Sequence, residues 1–325
     1  MALIFAVFAL AGIMYEHVGE RTDRARYPQI GRSVDIGGRT LNVDCSGQGQ
    51  PVVIFEGAGH TAGYAWSAIQ AQAAKFTRAC WYDRAGYGWS DPAPSPRTFK
   101  AIAADLHTLL HAAAVNPPYV LVGATAGAFH VRVYNGLYPD EVAGAVLIHA
   151  DDPDVFEHEP SYMKGNLAAL PPIVRRIDCN VVRPVMVQSG AIRLIGNPGA
   201  GRPFGLENLT QPQAEELIFL SNNAATAETE GEGCHLDESM GEVRDSGNFG
   251  NRPLLVLASS TPFRAPTPQY EKETAALNDY WFHQLQPRLA ALSTRGRLVV
   301  SEDAERPDSI IEGIRSVVRQ VRERN

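Results

Sequence analysis

The sequence predicts an α/β protein: a mostly parallel sheet flanked by helices, with an insertion between its two halves. Three observations predict it. Near-continuous apolar runs at 51–55, 119–122, 142–148 and 253–258 have the composition of strands buried on both faces. Helical patterns alternate with them, such as the apolar positions Ile102, Leu106, Leu109 and Leu110 between Thr98 and the Pro117-Pro118 stop. Finally, Tyr119-Val-Leu-Val-Gly-Ala-Thr-Ala-Gly-Ala-Phe-His130 passes from strand through a tight turn into helix.

At 325 residues the chain suits one large α/β domain with an insertion, or two small ones. Hydrophobic residues make up 45% and charged residues 20%, which is enough apolar material for a core without staples. A formal net charge of −7 argues against a nucleic-acid partner. No CxxC or Cys/His cluster has metal-ligand spacing, so neither metal nor cofactor is expected. Cys45 and Cys80 fall at strand ends, where lone buried thiols are the expectation. Cys179 and Cys234 fall in the insertion, where a disulfide between them is open.

Residues 1–15 carry no charge and would span roughly 22 Å as a helix, short of the ~30 Å hydrocarbon core. Residues 1–20 are expected to form a hydrophobic anchor that associates the chain with a membrane, with a buried N-terminal helix as the alternative. Arg21, Arg24, Arg26 and Arg32 follow it, and the side of the membrane stays open. The remaining chain divides into 31–154 and 251–325, the two halves of the core, and 155–250, where the alternation of strand and helix is lost.

In order, 33–45 reads as two short strands around a Gly37-Gly38 turn. The strand 51–55 ends in Glu56-Gly-Ala-Gly-His60. The strand near Ala79 leads into Asp83-Arg-Ala-Gly-Tyr-Gly-Trp-Ser-Asp91, with Gly86 and Gly88 permitting the turn. The strand 142–148 ends in His149-Ala-Asp-Asp-Pro-Asp154. A helix is expected at 280–292, a last strand at 296–300 and a closing helix at 310–322.

Glycines two residues either side of Thr125 are the spacing of a nucleophile elbow, in which a strained turn isolates the central side chain above a helix N-terminus. With the D-R-A-G-Y-G-W-S-D turn before it, the chain resembles the α/β-hydrolase family. The resemblance implies that fold, with a cap inserted at 155–250. It implies oxyanion donors at the amides of Ala58 and Ala126, and a pocket bordered by Glu56, Gly57 and His60 for a small-molecule ligand or substrate.

Three departures stand out, one being that relatives often carry an acid directly after the strand 142–148, where this chain has His149 first and Asp152 three residues on. Thr125 occupies the usual serine position, and its extra methyl is rigid in a strained turn. The loop after the last strand, where the family places its catalytic histidine, holds only Ser301-Glu-Asp-Ala-Glu-Arg306. His283 is the last histidine and belongs to a helix. The expectation is a protein with a degenerate triad, weak or no ordinary esterase activity and a retained pocket. One alternative is a hydrolase of esters, amides or epoxides with a rearranged site: Thr125 as nucleophile, His149 as base, and Asp152 or Asp151 holding the imidazole. The other is a lyase or isomerase on the same fold.

Overall fold

The computed structural model describes residues 2–59, 61–94, 96–163, 171–195, 209–221 and 234–324. Strands β1 (Arg32–Asp35), β2 (Thr40–Ser46), β3 (Val52–Glu56), β4 (Ala79–Tyr82), β5 (Tyr119–Ala124), β6 (Val142–Ile148), β7 (Leu254–Ala258) and β8 (Gly296–Val300) form one eight-stranded sheet. Its order is β1-β2-β4-β3-β5-β6-β7-β8. The β1–β2 and β2–β4 pairs are antiparallel and the others parallel. Helices α2 (Ser67–Ala73), α3 (Phe99–Ala112), α4 (Ala126–Leu137) and the closing helix (Pro307–Arg322) pack around it, and α1 (Ala2–Arg26) precedes β1. Gly37 and Gly38 make the β1–β2 turn at φ 106° and 90°, and both donate to Asp35 Oδ1.

Every residue of β5 is buried, and alternate side chains serve two different layers. Val120, Val122 and Ala124 join Ile69 of α2 and Ile310, Ile314 and Val317 of the closing helix. Tyr119 and Leu121 join Leu106 and Leu109 of α3 and Phe129 and Val133 of α4. Each fully buried Leu, Ile or Val contributes about 1.5–3 kcal/mol, so the elbow strand is firmly anchored from both layers. Thr98 caps α3, its Oγ1 accepting from the Ala101 amide at 3.4 Å.

Two local expectations are corrected. Cys45 and Cys80 form a disulfide, because β2 runs antiparallel to β4 in a register that sets the two residues opposite each other, Cα atoms 4.1 Å apart. Cys234 is also disulfide-bonded, and the Cys179 side chain lies outside the described residues. The helix expected at 280–292 begins at Glu271, passes through a π-helical turn at Trp281–Leu285 and ends at Ala290.

Between β6 and β7 the described residues are helical, at Val155–His158, Pro172–Ile177, Arg183–Gln188, Ala191–Ile195, Gln211–Ser221 and Leu236–Asp245, with a π-helical turn at Asp178–Val182. Helix α1 lies against 183–195. A Cβ on Gly12 would fall 2.2 Å from the Ser189 carbonyl oxygen, so only glycine permits this approach. Arg193 reaches Glu16 at 3.0 Å and Asp23 at 2.6 Å. Among the described residues no helix is long and apolar enough to cross a membrane.

Candidate functional site

Thr125 sits between β5 and α4 at φ 49° and ψ −119°. For a β-branched residue this conformation costs about 1–3 kcal/mol and persists only because its surroundings dictate it. The Thr125 amide donates to the Ile148 carbonyl at 2.9 Å, and its own carbonyl accepts from Ala128 N at 3.0 Å. A Cβ on Gly123 would lie 2.5 Å from Gly127 O, and one on Gly127 2.7 Å from Gly57 O. The glycine spacing read from the sequence is therefore steric: strand, helix and the loop after β3 cross too closely for side chains. The half-buried Thr125 hydroxyl takes no hydrogen bond from or to the described residues.

His149 follows β6 as Thr125 follows β5. Ala124 and Ile148 are register partners in parallel strands, which lie about 4.8 Å apart, so Thr125 and His149 leave the sheet side by side. His149 also has a positive φ, 46°, and its amide donates to Leu257 O at 2.9 Å. Its Nδ1 lies 2.7 Å from Glu305 Oε1, which accepts in addition from the Ser259 amide at 2.8 Å. Trp281 packs on the imidazole with ring centroids 4.9 Å apart, and Phe263 stands edge-on at 6.4 Å. Burial opposes a charge on His149, but the hydrogen bond and charge of Glu305, with Asp151 beyond, outweigh it and raise its pKa. Burial likewise works against ionisation of Glu305, and the His149 contact and the Ser259 amide lower it nonetheless. Asp151 is pushed up to about 7, mainly by burial, with Asp152 and Glu159 adding to the rise.

Asp152 does not hold the imidazole. Its Oδ1 accepts from Tyr280 Oη at 2.9 Å and from the Asp154 amide at 3.1 Å, while Oδ2 is paired with Arg288. The carboxylate is buried and committed to joining the end of β6 to the helices 271–290. Glu305 performs the orienting contact expected of Asp152. A sequence signal existed: the loop after β8 lacks the expected histidine yet carries Glu302, Asp303 and Glu305. His283 is exposed and paired with Asp279 at 3.0 Å.

The loop after β3 is fixed from beneath. Glu56, expected at the pocket, is instead only 2% exposed. Its carboxylate accepts from Tyr82 Oη at 2.5 Å and contacts His130 Nδ1 at 3.0 Å and Arg84 Nη1 at 3.4 Å. Arg84 donates to Gly57 O at 2.8 Å and Ala58 O at 3.2 Å, clamping the loop carbonyls. Asp83 accepts from Gly63 N at 2.8 Å, Asn42 Nδ2 at 3.0 Å and Trp89 N at 3.2 Å. Burial raises the Asp83 pKa to about 6. A Cβ on Gly59 would lie 3.3 Å from Ala126 Cβ, so this loop borders the elbow. Ala126 opens α4, where helix N–H groups have no intrahelical acceptor. His60 lies outside the described residues.

The sequence profile of the alpha/beta hydrolase fold matches residues 50–175. Over 143 residues the chain is 30% identical to a vacuolar membrane protein of Saccharomyces cerevisiae, the match covering 42% of this chain and 21% of that protein. The chain thus spans about a fifth of that relative's length. Among solved structures, a mutant of DbjA superposes with a TM-score of 0.63 at 13% identity, covering 91% of this chain and all 100% of that one. A thermophilic esterase from Thermogutta terrifontis gives 0.55 at 20% identity, over 90% of this chain and 99% of its own. Sheet order, elbow and these neighbours agree: the chain has the α/β-hydrolase fold.

Proposed function

We propose that the chain is an acyl hydrolase in which base and acid have exchanged strands, with Thr125 as nucleophile, His149 as base and Glu305 as the group that orients the base. The observation that carries this reading is the 2.7 Å contact between His149 Nδ1 and Glu305 Oε1, made beside the elbow. A degenerate protein was the expectation because the loop after β8 has no histidine. Here the histidine ends β6 and the acid occupies the β8 loop, so the pair survives with its members interchanged.

In this mechanism Thr125 Oγ attacks the carbonyl carbon of a small ester and its proton passes to His149 Nε2. Glu305 keeps Nδ1 protonated and stabilises the imidazolium that forms. The amides of Ala58 and Ala126 receive the charge developing on the carbonyl oxygen. The alcohol leaves with the proton from His149. Water then gives a proton to His149 and attacks the acyl-threonine, which releases the acid and returns a proton to Thr125. That the Thr125 hydroxyl makes no hydrogen bond with the described residues is compatible with this, since such contacts tighten on substrate binding.

Residues 155–250 serve in this reading as a cap. Supporting it, Leu217 and Leu220 of the helix Gln211–Ser221 are buried against the core. Ser221 Oγ accepts from the Ala62 amide at 3.1 Å, and Leu220 O from the Gly88 amide at 3.2 Å. The cap seats on the loops that flank the elbow.

The same reading puts the chain on a membrane surface instead of across it. Leu10, Met14 and Val18 form an exposed stripe along α1. Ile173, Ile177, Val181 and Val185 are exposed at the same four-residue spacing on the neighbouring cap helices. Apolar area of this extent is the signature of an interfacial contact, and the yeast relative is a membrane protein.

A panel of acyl esters, run beside ligand-induced thermal stabilisation, tests the reading. Turnover by the native chain that disappears in Thr125→Ala and His149→Ala is the expected result. Ligand stabilisation without turnover selects a binding protein on the hydrolase fold and overturns it.

A further inference from the structure

We propose that His107, His111 and Glu141 form a binding site for a divalent transition-metal ion, Zn2+ foremost, at the end of the sheet opposite Thr125. Neither the fold nor the proposed hydrolysis calls for it. His107 and His111 lie one turn apart on α3 and share a face of that helix. Their rings stack with centroids 4.3 Å apart. Glu141 ends the short turn Pro139–Glu141 that leads into β6. Its Oε1 lies 2.7 Å from His111 Nε2 and 3.4 Å from His107 Nε2. One ligand atom from each of the three residues falls within a 4.8 Å span.

The chemistry of this set is selective. Two imidazoles and one carboxylate suit Zn2+, Co2+, Ni2+ or Cu2+, whereas Ca2+ and Mg2+ require oxygen ligands. Around a tetrahedral Zn2+ with bonds of about 2.0–2.1 Å, ligand atoms stand about 3.4 Å apart, so small torsional changes bring these atoms onto a common ion. A supporting layer is already built. Tyr134 Oη donates to the other Glu141 oxygen, Oε2, at 2.5 Å, leaving Oε1 to face the histidines. Tyr138 packs on His107 with centroids 3.9 Å apart and restricts its ring. His111 is half exposed, so an ion has access and a solvent position remains.

Place in the fold assigns the role. Glu141 precedes β6 and His149 follows it, so this seven-residue strand, about 23 Å long, separates the site from the elbow. The ion would clip α3 to the start of β6, 30 residues beyond His111, and act on stability. Sequence reading found no metal spacing because the third ligand lies far from the histidine pair along the chain.

The test is calorimetric titration of the chelator-treated full chain with ZnCl2, with melting curves in parallel. One Zn2+ per chain is expected, and a rise in Tm of about 4 °C at a free concentration a hundredfold above Kd. His111→Ala and Glu141→Gln should each weaken binding at least tenfold and remove the Tm gain. Tyr134→Phe, which keeps all three ligands, should weaken it about tenfold at unchanged stoichiometry. MgCl2 should give no heat. Failure of the native chain to bind Zn2+, or equally tight binding by His111→Ala, overturns the proposal.

Discussion

Nδ1 of His149 meets Oε1 of Glu305 at 2.7 Å across 156 residues of sequence, with Ser259 N holding the same oxygen from the strand between them. Replacing Glu305 by Gln removes the charge that favours the imidazolium. Ester turnover should fall about 10²–10⁴-fold with little change in KM. His149 acts as base when neutral, and its pKa is raised, so the native rate should climb with pH through a limb above the ordinary histidine range. In Glu305→Gln that limb should move to lower pH. The His149–Glu305 contact also stabilises the fold below the unfolded histidine pKa, a contribution lost as pH rises through the higher folded value. Asp152→Asn, which disturbs the contacts with Arg288, Tyr280 and the Asp154 amide, should lower Tm and leave the pH limb in place.

Thr125 carries a methyl in a turn that tolerates little bulk. Fluorophosphonate probes, which report activated serines, should label the native chain slowly. Thr125→Ser should label faster, and Thr125→Ala not at all; rapid stoichiometric labelling of the native chain at Thr125 contradicts this.

Asp151 binds its proton up to pH about 7, far above the value of an unfolded aspartate near 3.8. The folded chain therefore holds one more proton between these values, and stability falls as pH rises through that window. Asp151→Asn should flatten the fall, giving a higher Tm than the native chain at pH 8 and a similar one at pH 4.

The Cys45–Cys80 disulfide closes a 35-residue separation between β2 and β4. Cys45→Ala together with Cys80→Ala should cost about 2–4 kcal/mol in denaturant unfolding, measured against the oxidised native chain. An unchanged midpoint would show that the sheet alone supplies the constraint.

Vesicle flotation addresses the apolar stripes. Native chain should float with anionic vesicles, and Leu10→Glu, Met14→Glu and Val18→Glu together should leave it in the unbound fraction with its fold intact by circular dichroism. Equal flotation of both would assign membrane binding to some other surface.

What the sequence by itself determined is what neighbours along the chain decide. The elbow was legible because Gly123 and Gly127 flank Thr125 within one strand and one helix turn, and their role is steric exclusion at short range. The strands 51–55 and 142–148 were legible because burial on both faces demands unbroken apolar runs. Tertiary structure decided everything that depends on register and pairing between distant segments. Cys45 faces Cys80 only because β2 runs antiparallel to β4, and no local pattern carries that register. The candidate acids read from the sequence were Asp152 and Asp151, beside His149, while Glu302, Asp303 and Glu305 stood in the loop after β8 where a histidine was sought. A carboxylate three residues from His149 looked the better partner, but Arg288 and Tyr280, from helices that arrive more than a hundred residues later, take Asp152 away. The turn after β8 then aims Glu305 at the ring. Hydrogen-bond partners are chosen by direction in space, and a sequence specifies direction only once the sheet has set which strand ends lie together.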